Sequence, residues 1–447
     1  MMTTNVSRED FLACTRPYQG QLKALKTKQY SDVIDSQGQQ YIDLVLEGGG
    51  TLGIALLGYI HVLEEAGLRF IGIGGTSAGA VSAVALAAAA KPSESRMKPL
   101  MEILANMPMS SFVDGKEPGD TDAIEALNAW MKGRNLLVKT WKTAQVLDNL
   151  HEIHALNRGQ TFFDWMSALM RGFNGGKTMT SAVLRERMHD LPPLRVCDSA
   201  LDSDYSGLPV KPYLVQADGR RVLTINPHSD YLCVIAADIS TESKVEFPKH
   251  APLYWQEPEQ VDVANFARAS MSIPGFFETY QIDSLPLEQA RPLWKEAHPY
   301  RPARAFEGEF LPKRHHFVDG GVLSNFPINA FHNPSRVPLR PTFGVKLQWD
   351  EYRHDIKTLI DVVTQSFNSA RHALDSDFIH RNPDFSKLVA FVDTQDVNWL
   401  DFDMARETKL RLFEMGVQSA IAFLEGFDWP RYKEIRRLML QASLIQT

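Results

Sequence analysis

The sequence predicts an α/β fold with a mainly parallel central sheet flanked by helices, a helical insertion and a helical C-terminal region. Apolar segments at 41–46 and 70–73 each run into a glycine-rich turn, and an apolar stretch of helical length follows each turn. The order strand, helix, strand, helix is typical of a βαβ unit, whose strands lie parallel in one sheet.

The first glycine-rich turn, residues 48–53, reads GGGTLG and opens a predicted helix over 54–66. Gly67 follows that helix, where a C-terminal cap belongs. The backbone N–H groups of such a turn are unencumbered by side chains. They stand at a helix start, where negative charge is stabilised. The turn therefore indicates a site that stabilises an anion or a developing negative charge.

The same turn also fits the dinucleotide-binding pattern G-x-G-x-x-G. That pattern needs an acidic residue at the end of the next strand, to bind a ribose hydroxyl. Here the next strand ends in Gly74 and Gly75, and Ser77 follows. The missing acid disfavours a nucleotide site, which stays open as an alternative.

The second turn, residues 75–79, reads GTSAG and matches G-x-S-x-G between a strand and a small-residue helix. This context is typical of a nucleophile elbow, in which a strained turn projects a serine hydroxyl from the edge of the sheet. The small flanking residues Ala78 and Gly79 allow the helix to approach the sheet closely. The motif predicts Ser77 as a nucleophile; the alternative is a plain tight turn.

Beyond residue 90 the chain alternates between helical spacing, apolar runs and segments without a period. Helices are predicted over 93–200, 265–272 and from 356 to the end. Strands are predicted at 231–238, 244–247, 316–319 and 342–347. Residues 198–230 are predicted as a polar loop, and 284–315 as a surface excursion.

Asp319 ends a predicted strand and is followed by Gly320 and Gly321. A carboxylate there can accept a serine proton if burial raises its basicity. The alternative is an ordinary Asp-Gly turn. A histidine base also stays open, because four histidines follow Asp319 in the chain. They are His332, His354, His372 and His380.

The composition sets limits on partners and cofactors. The net charge of −7 gives no basic field for nucleic acid, and the three cysteines form no CxxC pair. Two partial metal motifs, at 114–125 and 151–154, lack required ligands, so no metal is expected. Methionine and tryptophan are frequent between 100 and 170, which fits either a lipid-facing surface or a buried core.

Together, the three motifs 48–53, 75–79 and 319–321 resemble the patatin-like phospholipase family. Weaker stretches at 237–247 and 269–274 are also similar to it, so the resemblance covers about 41–347. It implies that Ser77 is the nucleophile and Asp319 its general base. It further implies that Gly48, Gly49 and Gly50 donate to the oxyanion and that Gly53 fits the helix start. Leu52 departs from the family, since many members carry Arg or Lys at that position.

The resemblance implies a lipid acyl hydrolase that cleaves carboxylic esters of phospholipids or related lipids through an acyl-enzyme, without a cofactor. Its partners would be the lipid substrate and, transiently, a membrane surface. Three alternatives stay open: an esterase or acyltransferase with another acyl acceptor, a catalytically silent lipid-binding or scaffold protein, and the nucleotide binder.

The expected organisation is a lead-in over 1–40, a catalytic domain over 41–347 and a helical region over 348–447. The catalytic domain would carry its helical insertion at about 93–200. The N-terminus lacks the apolar stretch of a secretory signal. The apolar run 80–90 is too short to span a bilayer, which needs about 20 residues. A cytoplasmic protein, or one exported without a cleavable signal, is expected.

Overall fold

The computed structural model describes 5–112, 155–197, 204–205, 211–333, 335–347, 356, 369, 382–394, 397–399 and 401–445. Its described α-helices are α1 (Arg8–Thr15), α2 (Gln19–Leu25), α3 (Gly53–Glu65), α4 (Ala78–Ala89), α5 (Met97–Ala105), α6 (Gln160–Phe173), α7 (Ser181–His189), α8 (Ala264–Ser270), α9 (Leu287–Ala297), α10 (Arg406–Gly426) and α11 (Trp429–Ile445). No described helix combines the length and hydropathy that crossing a membrane requires.

The described strands are β1 (Val33–Ile34), β2 (Gln40–Leu46), β3 (Leu68–Thr76), β4 (Ala155–Asn157), β5 (Arg195–Val196), β6 (Tyr213–Val215), β7 (Arg221–Leu223), β8 (Leu232–Asp238), β9 (Ser243–Phe247), β10 (Gly275–Phe277), β11 (Tyr280–Asp283), β12 (Arg314–Asp319), β13 (Thr342–Leu347) and β14 (Val389–Val392). Twelve of them form one mixed sheet, and β4 and β10 pair separately.

The centre of the large sheet is parallel. Strand β3 pairs in parallel with β2 and β8, and β13 pairs in parallel with β2 and β14. Antiparallel strands extend this centre, β1, β5, β7 and β6 on one side and β9, β11 and β12 on the other. The predicted α/β fold with a parallel centre flanked by helices is confirmed, and its margins are antiparallel.

Burial explains why the central strands are largely apolar. Every residue of β8 is buried, as are Tyr41–Leu46 in β2. Strands covered on both faces read as continuous apolar runs rather than as alternating ones. Helix α4 is buried along almost its whole length, which confirms the interpretation of the 80–90 run as a core helix.

Several short elements differ from the sequence predictions, among them β4 and β5, which lie in the 93–200 stretch predicted as helical. Helix α9 lies in the predicted surface excursion; Pro292 and charged residues hide its period, while Ala290 and Trp294 bury its inner face. Strand β14 interrupts the predicted C-terminal helices, and the β6–β7 hairpin lies in the predicted loop. Strands of three or four residues are too short to show a period of two.

Candidate active site

Ser77 stands at the junction of β3 and α4, on a turn with unusual backbone geometry. Its φ of 55° and ψ of −122° lie outside the regions that a side chain with a Cβ normally adopts. Such strain persists only where the surroundings hold it in place. A Cβ on Gly75 would overlap the backbone of Gly79, and one on Gly79 would overlap the carbonyl of Leu46. The predicted motif glycines therefore allow the sharp turn.

The backbone of this turn is held by a residue distant in the sequence. The Ser77 N–H donates to the Ser270 hydroxyl oxygen at 2.9 Å. Ser270 ends α8 and is fully buried, and Ser77 retains only 5% of its exposure. The sequence reasoning noted the stretch 269–274 only as a family likeness and did not identify Ser270 as a contact of the elbow.

The glycine loop 48–53 lies directly beside the elbow. A Cβ on Gly48 would overlap the Asn325 Oδ1 atom and would lie 3.0 Å from the Ser77 Cβ. Gly48 also pairs reciprocally with Asn325. Its N–H donates to the Asn325 carbonyl at 3.2 Å, and the Asn325 Nδ2 donates to its carbonyl at 3.2 Å. A side chain at Gly48 would therefore separate the loop from the serine.

The backbone N–H groups of the glycine loop differ in whether they donate a hydrogen bond within the protein. The Gly48 N–H is taken by Asn325, the Thr51 N–H by the Trp399 carbonyl at 2.9 Å, and the Leu52 N–H by the Gly49 carbonyl. Within the described residues, the N–H groups of Gly49 and Gly50 have no protein acceptor. Gly50 has a φ of +54°, and a Cβ there would overlap the Trp399 carbonyl.

Two loop positions were singled out in the sequence for different reasons. Gly53 begins α3, and its N–H donates to the Gly50 carbonyl. Leu52 is 1% exposed and belongs to the main core. The position at which many family members carry a cation therefore contributes packing here rather than charge.

Asp319 ends β12 and is brought to the elbow by strand β8. Asp319 pairs with Ala236, and Thr76, which precedes the elbow serine, pairs with Ile235. One edge of β8 is occupied by β9 over Val234–Asp238. Since a strand has two edges, β3 and β12 must share the other one, where their carboxyl ends meet. The structure thus brings Ser77 and Asp319 to the same point of the sheet.

Hydrogen bonds fix both the backbone and the carboxylate of Asp319. Its N–H donates to the Ser272 carbonyl at 2.8 Å, and its Oδ1 accepts the Gly321 N–H at 2.7 Å. Asp319 is 4% exposed. A Cβ on Gly320 would overlap the carbonyl of Ile235, so the chain turns tightly over β8 at this point. The predicted glycines after the aspartate therefore permit the turn that orients it.

An apolar pocket opens beside Ser77. Side chains of α3, α4, the 104–112 segment and the 271–277 segment line it, together with Gly50 and Phe402. Met107 and Met109 border the pocket, whereas Met101, Met166 and Met170 are buried in the core. Methionines of this region therefore lie both in the core and along the pocket.

The histidines that the structure describes do not line this pocket. His332 packs against Phe385, and burial lowers the pKa of its imidazole to about 4. His315 contacts the buried Asp238 at 2.8 Å. His354, His372, His380 and both partial metal motifs fall outside the described residues. No three potential metal ligands cluster within the described part of the chain.

Comparisons with known proteins agree with the motifs. A family model described as patatin-like phospholipase matches residues 44–332. An uncharacterized Bacillus subtilis protein, YqhO, is 26% identical over 393 residues, covering 87% of this chain and 100% of that protein. Among solved structures, VipD from Legionella pneumophila is 15% identical with a TM-score of 0.39, over 89% of this chain and 71% of that one.

Human GIVD cytosolic phospholipase A2, solved with methyl γ-linolenyl fluorophosphonate, is 11% identical to this chain with a TM-score of 0.37. That match covers 98% of this chain and 65% of the human one. The family model spans more than half of the chain and includes the whole glycine loop, the elbow serine and Asp319. The chain therefore belongs to the patatin-like phospholipase family, a family of lipid hydrolases.

Proposed function

We propose that this chain is a serine lipid acyl hydrolase that cleaves carboxylic esters of phospholipids or related acyl lipids. The observation that carries the proposal is the strained Ser77 elbow, which borders an apolar pocket and adjoins a glycine loop. A nucleophile, donors for an oxyanion and an apolar cleft together are what acyl transfer from a lipid ester requires.

In the proposed reaction, Asp319 takes the Ser77 proton as the hydroxyl oxygen attacks the ester carbonyl. The tetrahedral intermediate collapses, the acyl–oxygen bond breaks, and Asp319 returns the proton to the departing alcohol. Asp319 then takes a proton from water as the water oxygen attacks the acyl-enzyme carbonyl. The second tetrahedral intermediate collapses, the bond between the acyl carbon and the Ser77 oxygen breaks, and Asp319 returns the proton to that oxygen as the fatty acid leaves.

We propose Gly49 and Gly50 as the oxyanion donors and Gly48 as the residue that holds the loop in place. The family resemblance implies all three as donors, but the Gly48 N–H donates to the Asn325 carbonyl in this structure. One donor of this kind is worth about 2.7–4 kcal/mol of transition-state stabilisation. Support for a Ser-Asp dyad comes from the pairing of Thr76 and Asp319 with consecutive residues of β8, which brings the carboxylate to the elbow.

The test combines active-site labelling with a lipid panel. A fluorophosphonate probe should label the wild-type protein at Ser77, and mass spectrometry should detect fatty acid released from phospholipids. We expect Ser77→Ala and Asp319→Asn each to lower kcat at least about 10³-fold. Matched controls are Ser386→Ala and Asp283→Asn, both at exposed positions outside the pocket.

The outcomes separate the candidate functions. Substantial activity in a folded Asp319→Asn variant would assign the base to another residue, such as a histidine. Absence of both labelling and hydrolysis, with lipid binding equal in wild type and Ser77→Ala, would favour a silent lipid-binding protein. Acyl transfer to an alcohol in preference to water would favour an acyltransferase.

A further inference from the structure

One wall of the pocket comes from beyond residue 332, where the family match ends. Phe402 lines the pocket and stacks on Phe276, with ring centroids 4.7 Å apart and an interplanar angle of 17°. Phe276 meets Phe277 edge to face at 4.7 Å, and Phe277 also lines the pocket. Phe402, from the C-terminal region, thus forms one continuous aromatic surface with Phe276 and Phe277.

The segment that carries Phe402 is attached to the glycine loop. The Thr51 N–H donates to the Trp399 carbonyl at 2.9 Å, and the Thr51 hydroxyl donates to the Asn398 carbonyl at 3.2 Å. The backbone at Gly50 lies so close to Trp399 that no Cβ would fit between them. Gly50, Thr51 and Phe402 line the same pocket as Ser77, so these contacts join two of its walls.

We propose that Phe402 is a specificity-determining residue, which covers the first part of the substrate acyl chain as it leaves the reacting carbonyl. The inference rests on the proposed function of the same site. An acetyl group is too short to extend along the Phe402 ring, whereas a longer chain must pass beside it. Contact with Phe402 therefore favours long acyl chains over acetyl, because apolar surface leaves water.

The test compares kcat/KM for p-nitrophenyl octanoate and p-nitrophenyl acetate. We expect Phe402→Ala to lower the octanoate-to-acetate ratio about tenfold, the discrimination that one or two methylenes in an apolar pocket provide. Phe402→Leu, which keeps an apolar side chain, should restore part of the ratio. Phe391→Ala is the matched control, because Phe391 lies on β14 in the same region and is 40% exposed.

A second measurement does not depend on turnover. The fluorescent fatty acid cis-parinaric acid should bind the wild-type protein, and Phe402→Ala should raise its Kd about tenfold. An unchanged or increased ester ratio, or an unchanged Kd, in a folded Phe402→Ala variant would overturn the inference. Failure of the wild type to hydrolyse either ester, with binding that still depends on Phe402, would instead refute the hydrolase proposal and keep the role of Phe402 in the pocket.

Discussion

Thr76 and Asp319 lie end to end along one edge of β8, where they pair with the consecutive residues Ile235 and Ala236. Strand β3 runs parallel to β8 and β12 runs antiparallel to it, so the two carboxyl ends point toward each other. The elbow serine follows one end, and the carboxylate is the other. This arrangement makes neighbours of two motifs that are 242 residues apart in the chain.

Residues at the end of α8 and just after it hold the backbones of Ser77 and Asp319 in place. Ser270 accepts the Ser77 N–H, and the Ser272 carbonyl accepts the Asp319 N–H. Ser270→Ala would leave the Ser77 N–H buried without an acceptor, which costs about 1–3 kcal/mol. We expect a lower free energy of unfolding in urea and a lower kcat, because the strained elbow loses its restraint.

The control for this prediction is Ser335→Ala at an exposed position, which should change neither quantity. Wild-type stability and kcat in Ser270→Ala would show that the elbow holds its geometry without this bond.

Asn325 is expected to position the glycine loop. It is 1% exposed and forms both hydrogen bonds of its reciprocal pair with Gly48. Asn325→Leu keeps similar volume but removes the side-chain donor. We expect kcat to fall about 100-fold, the effect of misplacing catalytic groups by about 1 Å. KM should change far less, because Asn325 does not line the apolar pocket beside Ser77.

The exposed Asn329 provides a matched control, Asn329→Leu, in the same segment. A rise in KM with an unaltered kcat in Asn325→Leu would contradict a positioning role, as would rates equal to those of the wild type.

A buried ion pair attaches the last helix. Arg436 of α11 donates to the Asp384 carboxylate at 3.0 Å, and both side chains are at most 3% exposed. Arg436→Met removes one partner and leaves a buried charge unpaired, so the free energy of unfolding should fall by about 3–5 kcal/mol. Arg431→Met on the same helix breaks an exposed pair with Glu434 and should cost at most about 1 kcal/mol.

Unfolding curves of the two variants in guanidinium chloride compare the loss of the buried ion pair with the loss of the exposed one. Equal midpoints for Arg436→Met and Arg431→Met would mean that the buried pair does not contribute to the stability of the fold.

Acid should destabilise the protein through His332. Burial, aided by the charge of Arg436, lowers the pKa of its imidazole to about 4. In the unfolded chain this imidazole takes up a proton at about pH 6.5, whereas folding keeps it neutral. The contribution of neutral His332 to the free energy of unfolding is therefore complete above about pH 6.5 and is lost as pH falls through 4. Burial likewise lowers the pKa of His250 to about 4, so two histidines share this window.

The measurement is the difference in unfolding free energy between pH 7 and pH 4.5. His332→Gln should reduce this difference, and His228→Gln, at an exposed position, should not. The same difference in His332→Gln as in the wild type would assign the acid sensitivity to other groups.

Local residue chemistry predicted the first βα unit of the sheet well. Predicted and observed bounds of β2 and α3 agree within one or two residues, because apolar runs and glycines mark their ends. Gly67 takes a φ of +84° just past α3, as a helix cap requires. Helix α9 was missed because its buried face is only Ala290 and Trp294 among prolines and charges.

Residues adjacent in the chain define the local geometry of the site: a serine on a βα turn, a glycine-rich loop and a carboxylate before two glycines. Long-range packing, in contrast, makes β3 and β12 share an edge of β8, gives the Gly48 N–H its acceptor in Asn325, and brings Phe402 to the pocket. Such contacts join segments tens to hundreds of residues apart, and no local pattern encodes which distant hydrogen-bond or packing partner a buried group will find.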